Sequence, residues 1–125
     1  MEQRYLLDTN AVLDFMGNKL SMNAHKRLSE IIDTEINFSI INKIELLGFS
    51  NVEQDIVDFV NYANILPLND DVVEKTIDIR KMFRIKLPDA IIAATAIVYN
   101  MTVVTFNTSD FKRISDLKIL NSRED

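Results

Sequence analysis

Short apolar runs alternate with stretches in which apolar residues recur every three or four positions, from one end of the chain to the other. Arg4 to Leu7 runs into Asp8 as a buried strand would. Asn10 to Met16 predicts a short helix stopped by Gly17-Asn18. Ala24, Leu28, Ile31 and Ile32 share one helical face, so a helix is expected from about Ser21 to Thr34. Ile36 to Ile40 reads as a second strand, with Ile41, Ile44 and Gly48 marking a short helix directly after it. Val52, Ile56, Phe59, Val60 and Ala63 form one amphipathic stripe. Ile65 to Leu68 predicts a third strand around Pro67, at a sheet edge because proline donates no ladder hydrogen bond. Val72, Val73, Thr76, Ile77, Arg80 and Phe83 trace the next helix. Pro88 opens another, dense in small residues (Ala90, Ala93, Ala94, Ala96) that permit close approach to a sheet. Thr102 to Phe106 predicts a fourth strand, Thr108 to Arg113 a turn or short helix, and Leu117 to Leu120 a fifth strand.

Strands separated by helices throughout imply an α/β fold with a parallel sheet of four to five strands and right-handed crossovers. No linker, repeat or low-complexity run divides residues 1–125, so one domain is expected. In such a sheet ligands bind beyond the carboxyl ends of the strands, which directs attention to the polar residues there.

Composition narrows the chemistry. The 125 residues are 47% hydrophobic and 26% charged, ordinary for a globular domain. Nineteen acids against fourteen Lys and Arg leave a net charge of −5, which argues against gripping nucleic acid by bulk positive charge. Phosphate can still be reached through a bound cation. The absence of cysteine excludes disulfides, thiolate metal sites and thiol nucleophiles. A single histidine, His25, excludes a His-rich metal site; lying outside every motif, it is expected at the surface or its boundary. Gly17 and Gly48, the only glycines, belong to no phosphate-cradling loop. Met1-Glu2-Gln3-Arg4 leads into too few apolar residues for a signal peptide, and no run approaches a membrane span. A cytoplasmic protein is the default expectation.

Four acids stand where the sheet should end. Asp8 closes the first strand, and Asp110 follows the fourth. Glu45 lies on the helix after the second strand, beside Ile44 at the border of its apolar face. Asp89 sits in the first turn of the alanine-rich helix, where the helix dipole favours a carboxylate by about 0.3–1 kcal/mol. Each has an ordinary structural use: Asp8 as an N-cap, Glu45 paired with a lysine, Asp89 on its dipole, Asp110 in a turn. Together they form an acidic edge, and two carboxylates about 5 Å apart repel by about 3 kcal/mol at an effective dielectric of 20. Protons or cations must offset that. For oxygen ligands alone the natural cations are Mg²⁺ and Mn²⁺, and carboxylate-held metal suits phosphodiester cleavage. Asp14, one turn beyond Asn10, reads as a solvated or helix-pairing residue.

Four segments carry a resemblance to PIN domains, and within them to the toxins of VapBC-type toxin–antitoxin pairs. They are Tyr5-Leu6-Leu7-Asp8-Thr9-Asn10, the stretch from Phe38-Ser39-Ile40 to Glu45-Leu46-Leu47-Gly48, Lys86-Leu87-Pro88-Asp89-Ala90-Ile91-Ile92-Ala93-Ala94-Thr95-Ala96, and Val104-Thr105-Phe106-Asn107 to Asp110-Phe111. Their order and spacing match over nearly the whole chain. The resemblance implies a PIN-like three-layer fold with helices on both faces of the sheet, and a metal-dependent endoribonuclease. Asp8 and Asp89 are then the main metal ligands, Glu45 and Asp110 complete or orient the site, and Asn10, Thr105 and Asn107 support the carboxylates. It implies hydrolysis by metal-activated water, leaving a 5′-phosphate and a 3′-hydroxyl. It also implies a homodimer and a small VapB-like antitoxin as partner.

RNA needs counter-charge beyond the metal. Lys43, Arg84, Lys86 and Lys112 flank the motifs and are candidate phosphate contacts; a solvated helix face is the plainer reading, preferred for Lys81. Two alternatives stay open: a PIN-like module that binds without cleaving, and a Mg²⁺-dependent receiver-like domain. A receiver needs an acidic pair after its first strand, where this chain has Asp8-Thr9-Asn10.

Overall fold

The computed structural model describes residues 3–125, so the reading of Met1 and Glu2 as a polar lead-in lies outside the described residues. The order is β1 (Arg4–Leu7), α1 (Thr9–Met16), α2 (Met22–Thr34), β2 (Asn37–Ser39), α3 (Ile40–Leu47), α4 (Gln54–Asn61), β3 (Asn64–Leu66), α5 (Asp70–Met82), α6 (Leu87–Val98), β4 (Met101–Thr105), α7 (Thr108–Phe111) and β5 (Lys118–Asn121). Every predicted element is present, with ends shifted by a residue or two.

All strand pairs are parallel. They hydrogen-bond as two ladders, β1-β4-β5 and β2-β3, with Leu7 opposite Val104 and Ser39 opposite Leu66. β2 lies beside β1, and the Asn37 amide joins them by donating to the Tyr5 carbonyl at 3.0 Å. Among the described residues β3 pairs only with β2, and Pro67 falls just past its last residue, as at a sheet edge.

The sheet divides the core, because successive strand residues face opposite sides. Leu6 and Val103 pack with Val72 and Ile79 of α5, the alanines of α6, and Phe111. Leu7 and Val104 pack on the other side with Ala11 and Val12 of α1, Leu28 of α2, Leu46 of α3 and Val60 of α4. This is the three-layer arrangement. α6 buries seven consecutive residues from Ala90 to Ala96, four of them alanines that let the helix pack closely. Asn100, at φ 55°, turns α6 back into β4 through the left-handed region that asparagine tolerates.

Three apolar assignments need correction. Ile44 does not face the core but is 61% exposed, and Val73 and Ile77 are also exposed. The buried stripe of α3 runs through Asn42 and Leu46, and that of α5 through Val72, Thr76 and Ile79. Among the described residues no helix is long and apolar enough to cross a membrane.

Candidate active site

Asp8 ends β1 with its backbone still tied to the sheet, its N–H donating to the Val104 carbonyl at 3.0 Å. It is also the N-cap of α1, with Oδ1 accepting from the Thr9 N–H at 2.9 Å. Oδ1 takes a second, longer bond from the Asn42 amide at 3.2 Å. Oδ2 accepts from the Thr105 hydroxyl at 2.9 Å and from the Asn10 amide at 3.3 Å. The side chain is buried, and that burial pushes its pKa up against the donors that hold it down.

Thr105 and Asn10 interlock around it. The single proton of Thr105 serves Asp8, while its oxygen accepts from the Asn10 amide and from the Asn107 N–H, both at 3.0 Å. The Asn10 carbonyl oxygen accepts from the Phe106 N–H at 3.1 Å. Asn107 in turn donates from its side chain to Asp110 on α7. The three supporting residues expected from the motifs are therefore in direct contact with acids, with one another, or both.

Glu45 is exposed on α3 and reaches the site through Thr9, whose hydroxyl donates to Oε1 at 2.6 Å. Asp89 is half-buried in the first turn of α6, and its pKa is pushed up to about 6. Burial is the largest cause, followed by the negative charges of Asp110, Asp8 and Glu45, with Lys86 opposing. The other three acids thus act on Asp89 through space, and Glu45 acts on Asp8 as well. Among the described residues no three of them already converge into a closed metal cage. The donor set is all oxygen, as hard divalent cations require. The bonds from Asn10 and Asn42 to Asp8 are the long ones, and those are the lone pairs a cation could share. The chemistry of these donors suits such an ion.

Asn42 escaped the sequence reading. It is fully buried, and its amide donates to both Asp8 Oδ1 and Thr9 Oγ1 while its oxygen accepts from the Ser39 N–H and hydroxyl. Ser39 and Asn42 form a reciprocal capping box at the start of α3. The signal was present as Ser-x-x-Asn before an apolar helix, but asparagine replaces the usual Glu or Gln of that motif.

Asp14 is a second correction. It is buried, not solvated, and is held by Arg123 from beyond β5, with Nε 2.7 Å from Oδ2 and Nη2 3.1 Å from Oδ1. His25 stacks on Phe15 at 4.5 Å between ring centroids, a boundary position as expected.

A groove of about 390 Å³ opens beside the acids, lined by Arg84, Ile85, Lys86, Asp89, Asp110 and Arg113. Arg84 and Lys86 thus share a groove with Asp89 and Asp110. Arg113 joins them and donates to the Arg84 carbonyl at 2.6 Å. Lys43 and Lys112 are exposed but do not line this groove. A larger hollow of about 710 Å³ lies at the other end of β1, between it and α2, and contains none of the four acids.

A family model for the PIN domain matches residues 5–117. The protein is similar to the Ribonuclease VapC of Rickettsia bellii (strain RML369-C), with 30% identity over 129 aligned positions, covering 92% of this chain and 93% of that one. Its structure resembles VapBC-1 from nontypeable Haemophilus influenzae, with TM-score 0.78, 26% identity, and 98% and 100% of the two chains covered. It also resembles VapBC2 from Rickettsia felis bound to a DNA fragment from its promoter, with TM-score 0.76, 26% identity, and 95% and 98% covered.

Proposed function

This chain belongs to the PIN-domain family, and from that membership we propose that it is the ribonuclease toxin of a type II toxin–antitoxin pair. The reaction is hydrolysis of RNA phosphodiester bonds in the cytoplasm, with Mg²⁺ or Mn²⁺ as cofactor. The observation that carries it is the gathering of Asp8, Glu45, Asp89 and Asp110 at one sheet edge, where burial and then the charges of the other three acids raise the Asp89 pKa to about 6. A receiver-like fold loses its support with the family match. A module that only binds is disfavoured because the acids and their supporting hydrogen bonds are all in place.

A divalent cation there would acidify a water molecule and offset charge on the phosphate oxygens. Asp8 and Asp89 are its proposed ligands, with Glu45 and Asp110 completing or orienting the set. Thr105 and the Thr9 N–H each fix one Asp8 oxygen, leaving the carboxylate a single orientation. Asn107 does the same for Asp110. Arg84, Lys86 and Arg113 offer phosphate contacts along the neighbouring groove, while Lys43 and Lys112 are left as peripheral candidates. A small VapB-like antitoxin and a second copy of the chain complete the proposed assembly; the similar solved structures are of toxin–antitoxin complexes.

Cleavage of RNA measured with Mg²⁺ or Mn²⁺, and again with EDTA, tests this reading. Wild type should cut only with metal, and Asp8→Asn and Asp89→Asn should each lose at least about 100-fold in rate, the scale of a lost charge-stabilising group. Full activity in EDTA, or in either variant, overturns it.

A further inference from the structure

Arg123 does more than neutralise Asp14. Its guanidinium carbon lies 3.8 Å above the centre of the Phe106 ring. Two hydrogen bonds to a buried carboxylate and one aromatic face therefore hold it in place, yet its side chain remains about half exposed, at 54%. Phe106 is itself 37% exposed, unusual for a phenylalanine at the mouth of a buried strand. The result is a stacked, planar, positively charged plate whose side-chain freedom is already lost before any ligand arrives.

Its position is informative. Phe106 stands between Thr105, which holds Asp8, and Asn107, which holds Asp110. Its own N–H is bonded to Asn10. Asp14, the anchor of Arg123, lies one helical turn from Asn10 on α1. The plate thus flanks the acids from the α1 side, while the groove of Arg84, Lys86 and Arg113 adjoins Asp89 and Asp110. One flank offers cations for phosphates. The other offers a flat π surface, which phosphate does not need but an unstacked base does.

We infer that Arg123 and Phe106 form a stacking subsite for one unpaired nucleobase of the RNA strand, adjacent to the phosphate at the acids. The inference rests on the ribonuclease reading for its substrate class. It assigns to the tail after β5 a part in substrate choice: single-stranded RNA is accepted because its bases can be splayed onto the plate, and a base held in a duplex cannot reach it.

The test uses short single-stranded oligoribonucleotides in which each nucleotide around the cleaved bond is made abasic in turn. Wild type should lose about tenfold in kcat/KM at one position only, within the range that base–aromatic stacking supplies. Phe106→Leu keeps an apolar side chain and Arg123→Lys keeps the charge on Asp14, so both should fold; each should be slower on the intact strand and changed less than about twofold by the same abasic step, since the stacking that it removes is already gone. A second readout does not need cleavage: in EDTA, the strand abasic at that position, or scanned along its length, should bind wild type about tenfold more weakly than the intact strand, and bind either variant with less than about twofold difference. Equal cleavage of every abasic strand by wild type overturns the subsite, as does an abasic penalty of the same size in the variants. If wild type cuts no RNA, the ribonuclease reading falls, and binding alone then decides the plate: an abasic penalty in affinity that the variants lose upholds it, and a penalty that is absent in wild type or unchanged in the variants overturns it.

Discussion

At the scale of single residues, the candidate site depends on how completely each polar atom is used. Asn42 spends both amide protons and its oxygen on Asp8, Thr9 and Ser39 in a buried setting. Asn42→Ala strands the Ser39 N–H and removes a donor from Asp8. Urea denaturation should show a loss of about 1–3 kcal/mol, the cost of leaving buried polar groups unpaired. An unchanged midpoint at constant m-value would mean that water replaces the amide without penalty. Asp8, by contrast, was legible in the sequence, because a strand end has only one direction in which to present its last side chain. Its double use as N-cap and site acid also follows from that place, since the backbone N–H groups of α1 point at it. Asp14 was not legible. Its burial depends on Arg123, a residue 109 positions away.

At the scale of elements, α6 shows how composition sets geometry. Its alanines bring the helix so close to the sheet that Ala90, Ala93, Ala94 and Ala96 are all fully buried, and Asp89 in its first turn is carried to the acidic edge. Ala94→Leu adds volume with no space to receive it and should destabilise the fold by about 1–3 kcal/mol in thermal or urea unfolding. The exposed change Val73→Ala on α5 should stay within about 0.5 kcal/mol. Equal effects from the two would mean that α6 can move away from the sheet. The position of Ile44 is a matter of element length. A helix of eight residues such as α3 makes only two turns, and its apolar period leaves the buried stripe uncertain by one position. The capping box at Ser39 and Asn42 decides which way it faces.

At the scale of the whole molecule, the net charge of −5 is distributed so that four acids meet at one edge. Asp89 carries the consequence. Its pKa rises from an ordinary 3.8 to about 6, so the folded state holds this proton more tightly than the unfolded chain. This group therefore withdraws stability as pH rises from about 4 to about 6, and the loss is complete above that. A divalent cation binds the ionised form, so it should raise the melting temperature near neutral pH, with the gain fading as pH falls through about 6. Asp89→Asn should raise the metal-free melting temperature near neutral pH and remove most of that pH dependence. Melting curves across pH, with and without Mg²⁺ and with EDTA, read both effects. A metal-induced gain that is the same at pH about 5 and near neutrality would separate ion binding from these acids.

The order of helices and strands, their parallel pairing and the placement of acids at strand ends were all determined by the sequence alone. Each follows from short-range periodicity, or from the rule that a strand–helix–strand unit returns in parallel. Tertiary structure alone decided which polar residues touch. Asn42 meets Asp8 across 34 positions, and Arg123 meets Asp14 and Phe106 from the far end of the chain. Local pattern reports which face of an element is apolar. It carries no information about which distant side chain will be folded over that face, because loop paths and close packing settle that only when the whole chain is in place.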